Sequence, residues 1–235
     1  MKQFLPGWLK SPVRQLTDRI YRQGGYFEQR ARRDFIHQAI ITLDFNSISG
    51  AYVEFGCCGA NTFGYTAEAL RRTSRTPRVM YAFDSFAGLP PSDLPVDQHG
   101  QWIAGTMKMG LDEFHRQCRR KRIVNYHTIE GYYAQTLPRQ PDTFLPKGEI
   151  AFAYVDCDMY VSTVEVLRFL RPRLQHGMIL AFDDWWCYSG KSLSGERQAF
   201  EELYRLLNDW HFEPYLSYGW AGVSFVVEDK SLLTR

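Results

Sequence analysis

AYVEFGCCGANTFGYTAEALRR, residues 51–72, reads as a strand, a glycine-bearing turn and a helix in direct succession. Residues 51–55 are an apolar and aromatic run, and residues 62–72 repeat apolar side chains at three- and four-residue spacing, the period of a covering helix. A strand that feeds straight into a helix is the building unit of a parallel sheet. Working outward, similar β-branched and aromatic runs recur at residues 79–83, 124–129, 150–155 and 178–182, and residues 162–174 supply another covering helix. Beyond the fifth run the rhythm changes. A helix over residues 195–207 leads to residues 212–217, then Gly219, then residues 222–228, which is close enough for an antiparallel hairpin at the sheet edge. The expected fold is α/β, with a mostly parallel seven-stranded sheet and a C-terminal antiparallel hairpin. Residues 1–45 are expected as an N-terminal helical extension and residues 46–235 as the main domain.

Composition narrows the class. The 235 residues suit one α/β domain, and 28 basic against 26 acidic residues leave a formal charge of +2 with no basic field for nucleic acid. Arg119, Arg120, Lys121 and Arg122 read either as the solvated end of a helix or as a contact for an acidic or phosphorylated partner. The five cysteines are odd in number, two are adjacent, and none has zinc or secreted-disulfide spacing, so a cytoplasmic protein is expected. No apolar run reaches the ~20 residues of a membrane span. In residues 1–23, Phe4, Leu5, Trp8 and Leu9 precede Arg14, Arg19 and Arg22 in a weakly amphipathic pattern. Pro6, Gly7 and Pro12 are expected to interrupt any helix there. This segment is expected to pack on the body or to form a homodimer contact.

The turn VEFGCCGANT lacks the GxGxxG spacing of a nicotinamide fingerprint, because Cys57 and Cys58 separate the glycines and Thr62 stands in place of the third. With the expected hairpin, this argues against a nicotinamide oxidoreductase. Asp84 ends the second strand, thirty residues after Glu54. It is either a turn-capping aspartate or an acceptor for ribose hydroxyls. The stretch of residues 87–105, rich in proline and glycine, is a loop of the length that shapes active sites. Asp156 and Asp158 follow the fourth strand, and Asp183 and Asp184 follow the fifth. Four carboxylates on one sheet edge repel one another unless a cation sits among them, and hard divalent cations choose oxygen ligands. By its position Asp158 can cap the next helix or orient a ligand. His99, on the long loop, is the histidine able to reach the site on closure.

In order, the blocks VEFGCCGANT, FDSFAGLP, IEGYYAQTLP (residues 129–138), YVDCDMYVST (residues 154–163) and ILAFDDW (residues 179–185) resemble the macrocin O-methyltransferase (TylF-type) family. The resemblance spans residues 50–227 and implies a Rossmann-like class I methyltransferase that uses S-adenosyl-L-methionine with magnesium or a similar divalent cation on a sugar hydroxyl. It implies that Glu54, Gly56 and Thr62 lie along the methionine part of the cosubstrate, Asp84 and Ser85 at the ribose, Gly131 and Tyr132 near the adenine, and Asp156 beside them. It further implies Asp156, Asp183 and Asp184 as metal ligands and Asp158 as catalytic base. The expected partner is a small glycoside or saccharide. Two departures stand out: the Cys57-Cys58 pair, and Glu130 where a basic residue is familiar. Trp102, Trp185, Trp186, Tyr188 and Trp220 are either core or sugar-stacking rings. The rival readings are a catechol or caffeoyl-type phenolic O-methyltransferase and a non-catalytic nucleoside-binding module.

Overall fold

The computed structural model describes residues 7–233, with side chains over residues 25–232. Five parallel strands, β1 (Ala51–Phe55), β2 (Met80–Asp84), β3 (Tyr126–Glu130), β4 (Ile150–Val155) and β5 (Ile179–Phe182), are joined by β6 (Trp210–Tyr218) and β7 (Gly222–Asp229) in one seven-stranded sheet. The order is β3-β2-β1-β4-β5-β7-β6, with β7 antiparallel to both β5 and β6. The strand runs and the hairpin expected from the sequence are present, with boundaries moved by a few residues.

The helices are α1 (Gly7–Phe45), α2 (Asn61–Arg72), α3 (Leu111–Arg120), α4 (Tyr133–Thr136), α5 (Tyr160–Leu170), α6 (Gly195–Leu203) and α7 (Lys230–Leu233). Strands β1 and β4 are buried along their whole length, so both faces of the sheet must be covered. On one face Phe35, Ile36, Ala39, Ile40 and Leu43 form the buried stripe of α1, joined by Phe63 and Ala67 of α2 and Phe114 of α3. On the other, Val166, Leu167 and Leu170 of α5 pack with Ala199 and Phe200 of α6. The result is a three-layer α/β/α arrangement.

The α1 backbone runs unbroken through Pro12, contrary to the expected interruption. An interior proline removes one intrahelical hydrogen bond and strains one turn, and in this chain the helix continues past it. The side-chain expectations on Phe4, Leu5, Trp8, Leu9, Arg14, Arg19 and Arg22 lie outside the described residues. The last turn of α1 is held by Arg78, which donates to the backbone oxygens of Gly50 (3.0 Å) and Ile48 (2.7 Å) and to Asp44 Oδ1 (3.0 Å). Arg119 and Arg120 end α3, as the basic run suggested. Among the described residues no helix is long and apolar enough to cross a membrane.

Candidate functional site

Crossover topology puts the carboxyl ends of the parallel strands on one edge, and open α/β sheets bind ligands there. Register brings the two acidic strand ends together. Val155 pairs with Phe182, and the Asp183 N–H donates to the Val155 carbonyl at 2.9 Å, so Asp156 and Asp183 leave adjacent strands at the same level. A cavity of about 440 Å³ opens at this edge. Its lining includes Gly56, Asp84, Ser85, Tyr132, Asp156, Asp158, Asp183 and Asp184, so eight of the residues singled out from the sequence meet in one space.

The other three lie apart from it. Glu54 is fully buried and accepts hydrogen bonds from the Tyr52 hydroxyl and the Thr62 hydroxyl (2.7 Å), so Glu54 and Thr62 face each other beneath the cavity lining. Gly131 holds a left-handed backbone (φ +128) and donates its N–H to the Asp84 carbonyl at 2.9 Å. Burial pushes the Glu54 carboxyl up to about 8, against the two hydroxyl donors, which hold it down. A proton held more tightly by the fold than by the unfolded chain stabilises fully below the ordinary value of 4.5, and that stability declines as pH rises towards about 8. Glu54→Gln, neutral throughout, is therefore expected to flatten the fall in melting temperature across that window. Parallel thermal melts of the two proteins check this. An equal pH slope in both would contradict the assignment.

Asp84 uses both oxygens locally: Oδ2 accepts the Cys57 N–H and Oδ1 the Phe86 N–H, each at 2.7 Å. This is the turn-capping geometry, and each oxygen keeps a second lone pair. The Ser85 hydroxyl donates to the Gly88 carbonyl at 2.7 Å, starting the long loop. Leu89 and residues 105–106 close that loop on themselves through the Leu89 N–H to the Thr106 carbonyl (3.1 Å) and the Gly105 N–H to the Leu89 carbonyl (2.9 Å). Leu89, Pro90, Pro91 and Met107 thereby form an apolar wall of the cavity. His99 is not in that wall. Its Nδ1 accepts the Gln101 N–H at 3.2 Å, and its ring lies 4.6 Å from that of Trp102.

Asp158 sits in the left-handed region (φ +61), a conformation that aspartate and asparagine tolerate better than most residues. It does not cap α5. That helix begins at Tyr160, and Asp97 of the long loop receives its first N–H groups, from Tyr160 (2.6 Å) and Val161 (3.4 Å). Burial pushes the Asp158 carboxyl up to about 6, and the charge of Asp183 adds to the effect. Asp156 and Asp184 are driven well above the usual carboxylate range, first by burial and then by each other's neighbours in the cluster.

Three further residues join the cluster: Arg32 and Glu196, which lie outside the motif blocks, and Tyr154, which opens the YVDCDMYVST block without having been singled out. Arg32 of α1 donates from Nε to Asp183 Oδ1 at 2.9 Å and from Nη2 to Oδ2. The Tyr154 hydroxyl donates to the same Asp183 Oδ1. Glu196, fully buried in the first turn of α6, accepts the backbone N–H of Asp184 (2.9 Å) and of Cys157 (3.3 Å), tying both acidic strand ends to one carboxylate. Asp184 Oδ2 is buried and has no hydrogen-bond partner among the described residues. A buried, unpaired carboxylate oxygen in a cluster of raised-pKa acids is the chemistry that a hard cation satisfies. The residues present fit a divalent ion in that respect. Yet among the described residues no three His, Cys, Asp or Glu side chains stand ready-arranged to hold one.

Residues 20–207 match the model of the family described as Macrocin-O-methyltransferase (TylF). The chain belongs to the macrocin O-methyltransferase family. Among its relatives is the 8-demethyl-8-(2,3-dimethoxy-alpha-L-rhamnosyl)-tetracenomycin-C 4'-O-methyltransferase of Streptomyces olivaceus, 25% identical over 163 residues, covering 66% of this chain and 60% of the relative. Demethyldecarbamoylnovobiocin O-methyltransferase of Streptomyces niveus is 27% identical over 168 residues, again covering 66% and 60%. The chain thus spans 60% of the length of these curated relatives. The solved O-methyltransferase NovP shares its fold, with a TM-score of 0.70 over 83% of this chain and 79% of that one, at 23% identity. In this macrocin O-methyltransferase family member Trp185 is core, packed on Phe182 and Phe200, whereas Trp186, Tyr188 and Trp220 are exposed.

Proposed function

We propose that this chain transfers the methyl group of S-adenosyl-L-methionine to a sugar hydroxyl of a glycosylated natural product or related saccharide. The observation that carries this reading is the convergence in one cavity of Asp84, Tyr132 and Gly56 on one side with Asp156, Asp158, Asp183 and Asp184 on the other. The first group suits a nucleoside with an attached amino acid. The second suits a hydroxyl that must lose its proton.

A sugar hydroxyl is a weak nucleophile at neutral pH, while a methyl sulfonium is already a good electrophile, so the protein's work is deprotonation and alignment. Asp158 accepts the hydroxyl proton. The oxygen then forms its bond to the methyl carbon as the carbon–sulfur bond breaks, with the electron pair passing to sulfur. The products are the methyl ether and S-adenosylhomocysteine. Asp156, Asp183 and Asp184 are the proposed ligands of a magnesium-like ion, whose charge, when bound, would ease formation of the negative oxygen. The apolar wall of Leu89, Pro90, Pro91 and Met107 excludes water from the transfer.

Support comes from family membership and from relatives whose names specify methylation of a rhamnosyl group or of a novobiocin precursor. Incubation with the methyl donor and magnesium against a panel of rhamnosides, other glycosides and catechols, read by mass spectrometry, tests it. A gain of one methyl group on a sugar ring is the expected result. Methylation confined to catechols would replace this reading with the phenolic one.

A further inference from the structure

Arg32 reaches the acidic cluster from a helix 151 residues away in sequence from its partner, and takes both oxygens of Asp183 in a two-pronged ion pair. Asp183 is 2% exposed and also receives the Tyr154 hydroxyl, so its oxygens are committed to donors from the protein itself. Among the described residues Asp184 Oδ2 is buried without a hydrogen-bond partner, and Asp156 lines the same cavity. Arg32 also has an alternative seat. Its Nη2 stands 3.7 Å from Glu28 Oε1, one turn earlier on α1, and Glu28 in turn accepts the Trp220 N–H of the β6–β7 turn at 3.2 Å. One guanidinium therefore lies between two carboxylates, tight on Asp183 and loose on Glu28.

Resting on the proposed divalent cation, we propose that Arg32 is a built-in competitor for Asp183. It holds that carboxylate while no ion is present and passes to Glu28 when a divalent cation takes Asp183, so that loading of the site is coupled to the seating of α1 at the cavity. Asp183 Oδ1 already accepts both Arg32 Nε and the Tyr154 hydroxyl, and Oδ2 accepts Arg32 Nη2, so a divalent cation arriving at these buried oxygens meets filled acceptor sites and the repulsion of the guanidinium charge. The absence of a ready-made three-ligand arrangement among the described residues follows from this exchange, since Asp183 is turned to the guanidinium. Arg32 lines the cavity, so its departure also changes the space open to the acceptor.

Calorimetric titration of manganese and of magnesium into the wild type, Arg32→Gln and Arg32→Lys tests the proposal, with S-adenosyl-L-methionine binding and thermal melts confirming that each variant is folded. The expected result is cation binding at least about tenfold tighter in Arg32→Gln, with Arg32→Lys between the two because a lysine holds a carboxylate through one prong. Amide exchange over residues 25–32 is expected to rise on adding manganese to the wild type and to stay level in Arg32→Gln. Equal affinity in all three proteins, or weaker binding in Arg32→Gln, overturns the competition while leaving the cation reading in place. Uptake by none of the three overturns the cation reading and this inference with it.

Discussion

Asp158→Asn is expected to lower the methyl-transfer rate by about a thousandfold, within the range that a positioned general base contributes. The substitution is chosen for its backbone. Asparagine accepts the left-handed conformation (φ +61) that position 158 requires, so the fold and the cavity shape survive. What is removed is the carboxylate able to take a proton at that place. The folded variant should melt with the wild type and bind S-adenosyl-L-methionine as tightly, so the loss falls on turnover alone. Steady-state kinetics beside a binding titration separates these terms. A variant retaining more than about a tenth of wild-type turnover would remove Asp158 from the role of base.

Gly56→Ala is expected to cost stability on a comparable scale, several kcal/mol, and to lower the melting temperature by about 10 °C or more. Gly56 has φ +91, and a Cβ built there would lie 1.6 Å from the backbone oxygen of Asp156. Neither neighbour can step aside. The Gly56 N–H is bonded to the Phe83 carbonyl (2.9 Å) and the Asp156 N–H to the Phe55 carbonyl (2.8 Å), which pins three adjacent strand ends. The methyl group must therefore force β1 and β4 apart at the point where Asp156 enters the cavity. Differential scanning calorimetry reads the effect, and a shift under about 2 °C would show that the strand ends are free to separate.

The two effects trace to features of different legibility. The apolar runs that became β1, β4 and β5 stood out because strands buried on both faces admit few polar residues, and the acids at their ends stood out against that background. Adjacent strand order then brought Asp156 and Asp183 together without further information. Arg32 gave no such signal. It is one of many arginines on a charged helix, and its significance depends on α1 crossing to the end of β5, a contact over 151 residues. Glu196 resembled an ordinary first-turn acid, favourable for any helix, until its carboxylate was seen to accept two backbone N–H groups from separate strand ends. Asp97 lay in a proline-rich loop with no pattern linking it to the start of α5. Glu54 shows the converse. The family resemblance implies a place for it along the methionine part of the cosubstrate, and its carboxylate is fully buried, taking the hydroxyls of Tyr52 and Thr62.

The most direct measurement is a crystal structure with S-adenosylhomocysteine and a methylatable rhamnoside, grown with magnesium. The expected result is the nucleoside beside Asp84 and Tyr132, with the sulfur directed at a sugar hydroxyl within hydrogen-bonding reach of Asp158. A nucleoside lodged elsewhere on the sheet, or a sugar held with its hydroxyls turned away from the four aspartates, would contradict it.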